Sequence, residues 1–389
     1  MKVLVSGGTG LVGRYIVEEL LAAGYSVIIG GRRAPLPRLF SRPVEFAPLS
    51  LDPDKDHIEA FDDAYFFVHA ALSHLPGKYR GGEGDDPDGF RRLNLDGTVK
   101  LFDTAKRAGT RRCIFISSRA AYQDAAPGTV LTEDMLPQPD TLYGEVKLAG
   151  ERALADLAGP GFTTASLRAT GVYGDLLPNK WTGLIEDYLS GRPAPVRAGT
   201  EVHGRDLGRA VRLMLETESA RVSGEVFNVS DLLADTRDIL SVVQQETGCP
   251  NPLPASADKA AINRMSTEKL QALGWLPGGK ALFEQTVRHW WPHCSTCDSK
   301  LQPLSRDCNG PPAVYGSHYA ADDIQRTKSP DAHRTACAAR RNPPRDANRE
   351  KPGNGGARRR GRGFRSRHDH FGLHAHPLGG RYPAVDGAL

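Results

Sequence analysis

The chain has 389 residues, enough for one large or two ordinary domains with a well-buried core. Hydrophobic residues at 39% and charged residues at 25% sit near globular norms, which excludes a chain disordered throughout. No run approaches the ~18 consecutive apolar residues of a membrane-spanning helix. The first five residues lead into glycine rather than a secretory segment, and six cysteines without framework spacing fit a reducing compartment. A cytoplasmic protein is expected. The net charge of +4 conceals two segments: residues 293–389 hold 17 Lys and Arg against 9 Asp and Glu, leaving 33 against 37 in residues 1–292. Only the acidic body reads as a fold.

In chain order, residues 2–6 form a short apolar run that ends in a glycine loop. Residues 14–23 follow with Ile16, Leu20 and Ala23 on one helical face, closed by Gly24. Strands are expected at 25–29, 44–51, 64–71, 113–118 and 163–169. Helices are expected at 93–108 and 143–157. Apolar runs without strict alternation are strands covered on both faces, and their alternation with helices predicts a parallel sheet with right-handed crossovers. Past Gly171 the rhythm loosens. Helical stretches at 206–216, 236–247, 266–273 and 281–291 surround one strand at 225–229, with Pro- and Gly-rich loops at 174–200. The expected fold is α/β: a Rossmann-type doubly wound parallel sheet over 1–175, with part of 200–230 returning to it. A small C-terminal α/β substrate lobe occupies 176–292. Residues 293–389 contain only ten of Leu, Ile, Val, Phe and Met and read as a disordered basic tail.

The loop Ser6-Gly7-Gly8-Thr9-Gly10-Leu11-Val12-Gly13 lies between the first strand and first helix. Gly7, Gly10 and Gly13 divide the work of a dinucleotide loop: a tight turn, close approach of a pyrophosphate, and close packing of helix on strand. The helix start then offers free N–H groups and partial positive charge to the phosphates. An acid at the end of the second strand would bind the ribose 2′-OH of NAD. Here Arg32 and Arg33 stand there, and no Asp or Glu occurs from Val27 to Val44. Two guanidiniums suit a 2′-phosphate, so NADP is favoured and NAD remains an alternative.

Tyr143 and Lys147, at i and i+4, share one helix face. A phenol with pKa near 10 is a poor base at neutral pH, and a neighbouring ammonium favours its phenolate. Lowering that pKa by about three units asks for roughly 4 kcal/mol, within reach of a dry pocket. Tyr143 would then exchange a proton with a substrate hydroxyl as hydride moves to or from nicotinamide. Ser118, at the end of the fifth strand, would hydrogen-bond the same oxygen.

With these segments in place, residues 1–292 resemble an extended short-chain dehydrogenase/reductase of the NAD-dependent epimerase/dehydratase family. The matching stretches are 7–13, 63–71 (DAYFFVHAA), 94–98 (NLDGT), 115–122 (FISSRAAY), 143–147 (YGEVK), 167–174 (LRATGVYG), 225–229 (EVFNV) and 273–277. The resemblance implies catalysis by Ser118, Tyr143 and Lys147. It implies cofactor contacts from Gly7, Thr9, Gly10, Leu11, Val12, Gly13, Ala70, Tyr143 and Lys147, with a four-helix homodimer interface over 93–108 and 143–157. Three departures narrow the function. Ser118-Arg119-Ala120 replaces the Thr-Asp-Glu run of the dehydratases, which removes the groups that eliminate water. An Arg-Asp pair before an aromatic, usual in nucleotide-sugar members, is absent at 199–201, where only His203 and Asp206 match. Ala169 replaces a proline, which is expected to loosen the loop at the nicotinamide edge.

Asn179, Trp181 and His203 are the substrate-contact candidates, with a capping role for His203 as its competitor. Asn94 is read as an anchor for the sheet, and His69 and His74 as core or solvated residues. In the tail, Cys294, Cys297, Cys308 and Cys337 lack the spacing of a compact zinc site, so no metal is expected. The Arg-Gly run 358–365 has the composition of a nucleic-acid-binding segment; an unselected extension is the competing explanation. The reading is an NAD(P)-dependent oxidoreductase or epimerase acting at a secondary alcohol or ketone of a sugar or sugar-nucleotide-like substrate. The alternatives are a dinucleotide-binding regulator without turnover and a nucleotide-sugar 4-epimerase with tightly bound NAD.

Overall fold

A computed structural model describes residues 1–75, 82–122, 125–176 and 179–290; the expectations for 293–389 fall outside them. In chain order the elements are β1 (Lys2–Ser6), α1 (Leu11–Ala22), β2 (Ser26–Gly31), β3 (Glu45–Pro48), β4 (Phe66–His69), α2 (Pro87–Arg91), α3 (Gly97–Arg107) and β5 (Arg112–Ser118). They continue as β6 (Val130–Leu131), α4 (Leu142–Asp156), β7 (Thr163–Ala169), β8 (Gly171–Tyr173), α5 (Thr182–Leu189), β9 (Ala198–His203), α6 (Gly204–Glu216) and α7 (Ser219–Val222). The last are β10 (Glu225–Val229), β11 (Leu232–Asp235), α8 (Thr236–Thr247), β12 (Arg264–Met265), α9 (Glu268–Gln271) and α10 (Gly279–Trp290).

Seven strands form one sheet in the order β10-β7-β5-β4-β1-β2-β3, every neighbouring pair parallel. Alternation along each strand sends residues to the two faces of the main core. Val3 and Val5 meet Ile16, Leu20 and Val211 on one face, while Leu4, Phe67 and Phe115 meet Phe102 and Leu154 on the other. Strand order reverses between β1 and β4, which opens a crevice at their carboxyl ends, the usual ligand position in such sheets. β10 joins this sheet through full register with β7, from Glu225↔Ala165 to Val229↔Ala169.

A second core gathers Tyr173, Trp181, Ile185, Tyr188, Leu240 and Phe283 beside a three-stranded sheet, β11-β9-β8. The sequence reading placed one strand past Gly171; among the described residues β8, β9, β11 and β12 lie there as well, and α5 runs through the expected loop at 174–200. Ala169 closes β7 in register with Ser118 on one side and Val229 on the other, a place where proline would bring no N–H to the ladder.

Candidate active site

The glycine loop turns at Gly7, whose φ of 71° is a left-handed conformation. A Cβ on Gly7 would stand 2.7 Å from the backbone of Ala71, and one on Gly13 would overlap the Gly7 carbonyl oxygen. Gly10 caps α1 in extended backbone, with no side-chain cap and no acidic residue in the first turn. The leading N–H groups of Leu11, Val12 and Gly13 therefore await an external acceptor. A cradle that side chains would fill, facing an uncapped helix start, fits a dinucleotide pyrophosphate. Ala70 follows β4, its N–H donating to the Ser6 carbonyl at 3.1 Å. Thr9 is exposed on the loop tip. Arg32 and Arg33 are exposed just beyond β2, and Arg32 lines a cleft of about 580 Å³ together with Lys55 and His57.

Ser118 ends β5, where its Oγ accepts from the Ala120 N–H at 3.1 Å. Thr141 caps α4 by accepting from the Gly144 N–H at 3.2 Å. A Cβ on Gly144 would overlap the Ala120 carbonyl oxygen, so the first turn of α4, which carries Tyr143, lies directly on the turn that follows Ser118. Lys147 is buried one turn on. Its Nζ donates to the Ile116 carbonyl at 2.8 Å and lies 4.6 Å from the Phe115 ring centroid and 5.9 Å from that of Tyr143. Burial pushes this ammonium down to about 8, while the Glu151 carboxylate works in the opposite direction. Ser118, Tyr143 and Lys147 thus converge where β5 meets α4.

Glu151 escaped the sequence reading, although it continues the Tyr143–Lys147 spacing by one more turn. It is buried, accepts from Ser117 Oγ, and takes a bidentate contact from Arg168, with Nη2 at 2.7 Å and Nε at 3.0 Å. Arg168 lies 4.6 Å over the Tyr122 ring, and the Tyr122 hydroxyl donates to Asn228 Oδ1 at 2.8 Å. This chain of contacts ties β5, α4, β7 and β10 together beneath the site.

Asn94 anchors the segment after β4, accepting from the Ser73 N–H at 2.6 Å and donating to the Ser73 carbonyl at 2.8 Å. His74 shares a 2.7 Å hydrogen bond with the carbonyl of Leu75. His69 is fully buried between Ser6 Oγ at 2.7 Å and Thr98 Oγ1 at 3.0 Å, stacked on Phe115. Burial, aided by the Lys147 charge, pushes its pKa down to about 3. Between an unfolded pKa near 6.5 and about 3 the unfolded chain binds a proton that the folded chain refuses, so stability is lost as pH is lowered through that window and regained as it rises. His69→Gln is expected to flatten the acid limb of denaturant-derived stability by about 5 kcal/mol over the window.

The substrate candidates divide. Asn179 braces its loop, donating to the Gly174 carbonyl at 2.9 Å and accepting from the Trp181 N–H at 2.8 Å. Trp181 is only 7% exposed and stacks on Tyr173 with centroids 5.2 Å apart, so it supports the second core rather than opening onto solvent. His203 is buried and caps α6, its Nδ1 accepting from the Arg205 N–H at 3.0 Å. Burial pushes it down to about 4. Trp181 and His203 both pack on Tyr173 of the second core. No group of three or more His, Cys, Asp or Glu suited to a metal occurs among the described residues, and none of their helices is long and apolar enough to cross a membrane.

A sequence model of the NAD dependent epimerase/dehydratase family matches residues 3–230. The chain belongs to this family. It is an enzyme of the extended short-chain dehydrogenase/reductase type that works with a nicotinamide dinucleotide. It is 28% identical over 314 residues to UDP-glucose 4-epimerase of Corynebacterium glutamicum, covering 71% of this chain and 91% of that one. It is 29% identical over 196 residues to the decarboxylating sterol-4-alpha-carboxylate 3-dehydrogenase of Mus musculus; there the match spans 49% of this chain and about half of the relative, 51%. Among solved structures, MoeE5 in complex with UDP-glucuronic acid and NAD superposes with a TM-score of 0.63 at 27% identity, over 75% of this chain and 99% of that one. A Thermus thermophilus UDP-glucose 4-epimerase complex with NAD gives 0.61 at 26%, over 76% and 99%.

Proposed function

We propose that the protein interconverts a secondary alcohol and a ketone on a sugar or sugar-nucleotide-like substrate, with Tyr143 as the proton-transfer group. The observation that supports this reading is the seating of α4's first turn, which carries Tyr143, on the turn after Ser118, with Lys147 one helical turn on. A bound nicotinamide dinucleotide supplies hydride exchange at the carbinol carbon. Tyr143 removes or returns the hydroxyl proton, and the Lys147 ammonium favours its phenolate. Ser118 has its own O–H to give the substrate oxygen, because its Oγ already serves Ala120 as an acceptor. Gly7, Thr9, Gly10, Leu11, Val12, Gly13 and Ala70 hold the pyrophosphate side of the cofactor. Arg32 and Arg33 receive a 2′-phosphate, which favours NADP. Residues 1–175 with β10 form the cofactor body and 176–292 the substrate lobe, in a cytoplasmic homodimer paired through α3 and α4.

The test titrates the full chain with NADPH and NADH and then screens sugars and nucleotide sugars for nicotinamide-linked turnover. Selective NADPH binding, weakened about tenfold or more in Arg32→Ala/Arg33→Ala, is expected, as is a Tyr143→Phe variant that binds cofactor normally and loses roughly 10²- to 10⁴-fold in turnover. Undiminished turnover in Tyr143→Phe would remove the tyrosine from the mechanism. A second reading, a 4-epimerase that retains NAD, is favoured by the UDP-glucose 4-epimerases among the relatives. Co-purified NAD insensitive to the two arginines would put it first.

A further inference from the structure

The Lys147 ammonium takes two of its neighbours from consecutive residues of β5. Alternation along that strand sends the Phe115 side chain among Phe102 of α3 and Leu154 of α4, and the Ile116 side chain to the opposite face with Val3 and Leu167. The Ile116 carbonyl accepts from Lys147 Nζ at 2.8 Å, and the same nitrogen stands over the Phe115 ring, 4.6 Å from its centroid. Three neighbours fix that ring, which is 2% exposed. His69 stacks on it at 5.7 Å with planes 19° apart, and Phe102 meets it edge to face at 5.5 Å. On α4, Gly150 lies so close that a Cβ there would stand 3.0 Å from Phe115 Cε1 and 3.1 Å from Cζ.

An ammonium has three hydrogens to place, and Lys147 is buried, so burial by itself favours the uncharged amine. A cation over an aromatic face is attracted by the ring's quadrupole, most strongly where water is excluded. We infer that Phe115 is a positioning residue whose ring face, together with the Ile116 carbonyl, keeps the Lys147 side chain in place and charged; the use made of that charge rests on the proton transfer proposed above for Tyr143. The ionisable groups around the lysine leave this task to the ring. Glu151, one turn along α4, also favours the ammonium but shares its charge with Arg168 of β7. His69 on β4 is held neutral by burial. Tyr143, one turn back, presents its ring 5.9 Å away, beyond the Phe115 distance.

The experiment places mono-, di- and trifluorinated phenylalanine at position 115 of the full chain. Fluorine drains the negative face of the ring and barely changes its shape, so the series keeps the packing; Phe115→Leu removes the face altogether. The Lys147 titration is followed by NMR of lysine carbon-labelled at Cε, with its signal assigned through Lys147→Arg. Each added fluorine is expected to move the midpoint lower, by about one pH unit in the trifluorinated protein, and Phe115→Leu at least as far. The alkaline limb of turnover, where the ammonium discharges, should follow to lower pH by the same amount. A midpoint that stays put across the series overturns the inference, as does a series that changes unfolding stability alone, the mark of a ring that serves only the core. The titration needs no substrate, so it reads the ring's role even if no sugar turns over. A midpoint that moves while the alkaline limb stays would uphold the hold on Lys147 and remove that lysine from the reaction assigned above.

Discussion

Gly13→Ala is expected to abolish measurable NADH and NADPH binding at concentrations that saturate the wild type, and to lower unfolding stability by about 1–3 kcal/mol. The cause is one methyl group. Its carbon would overlap the Gly7 carbonyl oxygen and come within 2.7 Å of Gly8 Cα, where both partners are backbone and neither has a rotamer to change. Relief requires α1 to back away from β1, which withdraws the N–H groups of Leu11 and Val12 from the place a pyrophosphate would occupy. Gly183→Ala in α5 is the matched control. Nothing lies within 4 Å of its added carbon, so the gain in helix propensity should leave the protein equally or slightly more stable. Fluorescence titration and urea denaturation of the two variants side by side check both halves. Normal cofactor affinity in Gly13→Ala would show that the loop is not the phosphate site.

Arg168→Met should be the most destabilising single change outside the glycine loop, at about 3–5 kcal/mol. Both partners of the Arg168–Glu151 pair are almost fully buried, with side chains 4% and 3% exposed. Removing the guanidinium strands a carboxylate whose remaining side-chain donor is the Ser117 hydroxyl. The double variant Glu151→Gln/Arg168→Met should recover a good part of the loss, since the penalty lies in the orphaned charge. Glu151→Gln alone carries a second signature. The Glu151 carboxylate opposes the burial that depresses the Lys147 pKa, so its removal moves the alkaline limb of the activity profile, where the ammonium discharges, to lower pH. Denaturation curves read the first effect and a pH–rate profile the second. An unshifted alkaline limb would separate Glu151 from the role proposed for Lys147.

The dinucleotide-binding half was legible because its signals are local. The apolar runs that became β5 and β7 needed no partner to be recognised, and 163–169, 225–229 and 236–247 coincide with β7, β10 and α8. Helix α1 starts at Leu11 rather than Arg14 because its first turn is part of the glycine loop itself. The second sheet was not legible. β8 has three residues, β9 contains a glycine and a glutamate, and β11 ends in an aspartate that caps α8, so none shows a clean period. Their pairing depends on contacts between segments about 30 residues apart, such as Leu232 with Glu201. The same division runs through the site. Gly7, Ser118, Tyr143 and Lys147 sit in short motifs, whereas Glu151 and Arg168 acquire their partners only when β5, α4 and β7 are laid side by side.

Tyr15 sets a rule for anyone who would exchange parts of this enzyme with a relative. Its side chain leaves the cofactor helix α1, donates through its hydroxyl to Asp175 at 3.1 Å and accepts from the Leu176 N–H at 2.8 Å. Any side chain at Gly174 or Gly204 would collide with it. The tyrosine therefore belongs by sequence to one half and by shape to the other. A chimera that imports residues 171–235 without Tyr15 inherits two glycines facing a hole and an amide without its acceptor. A chimera that keeps Tyr15 but imports alanine at 174 or 204 inherits a clash. The natural cut for a transplant follows this side chain, not the order of residues in the chain.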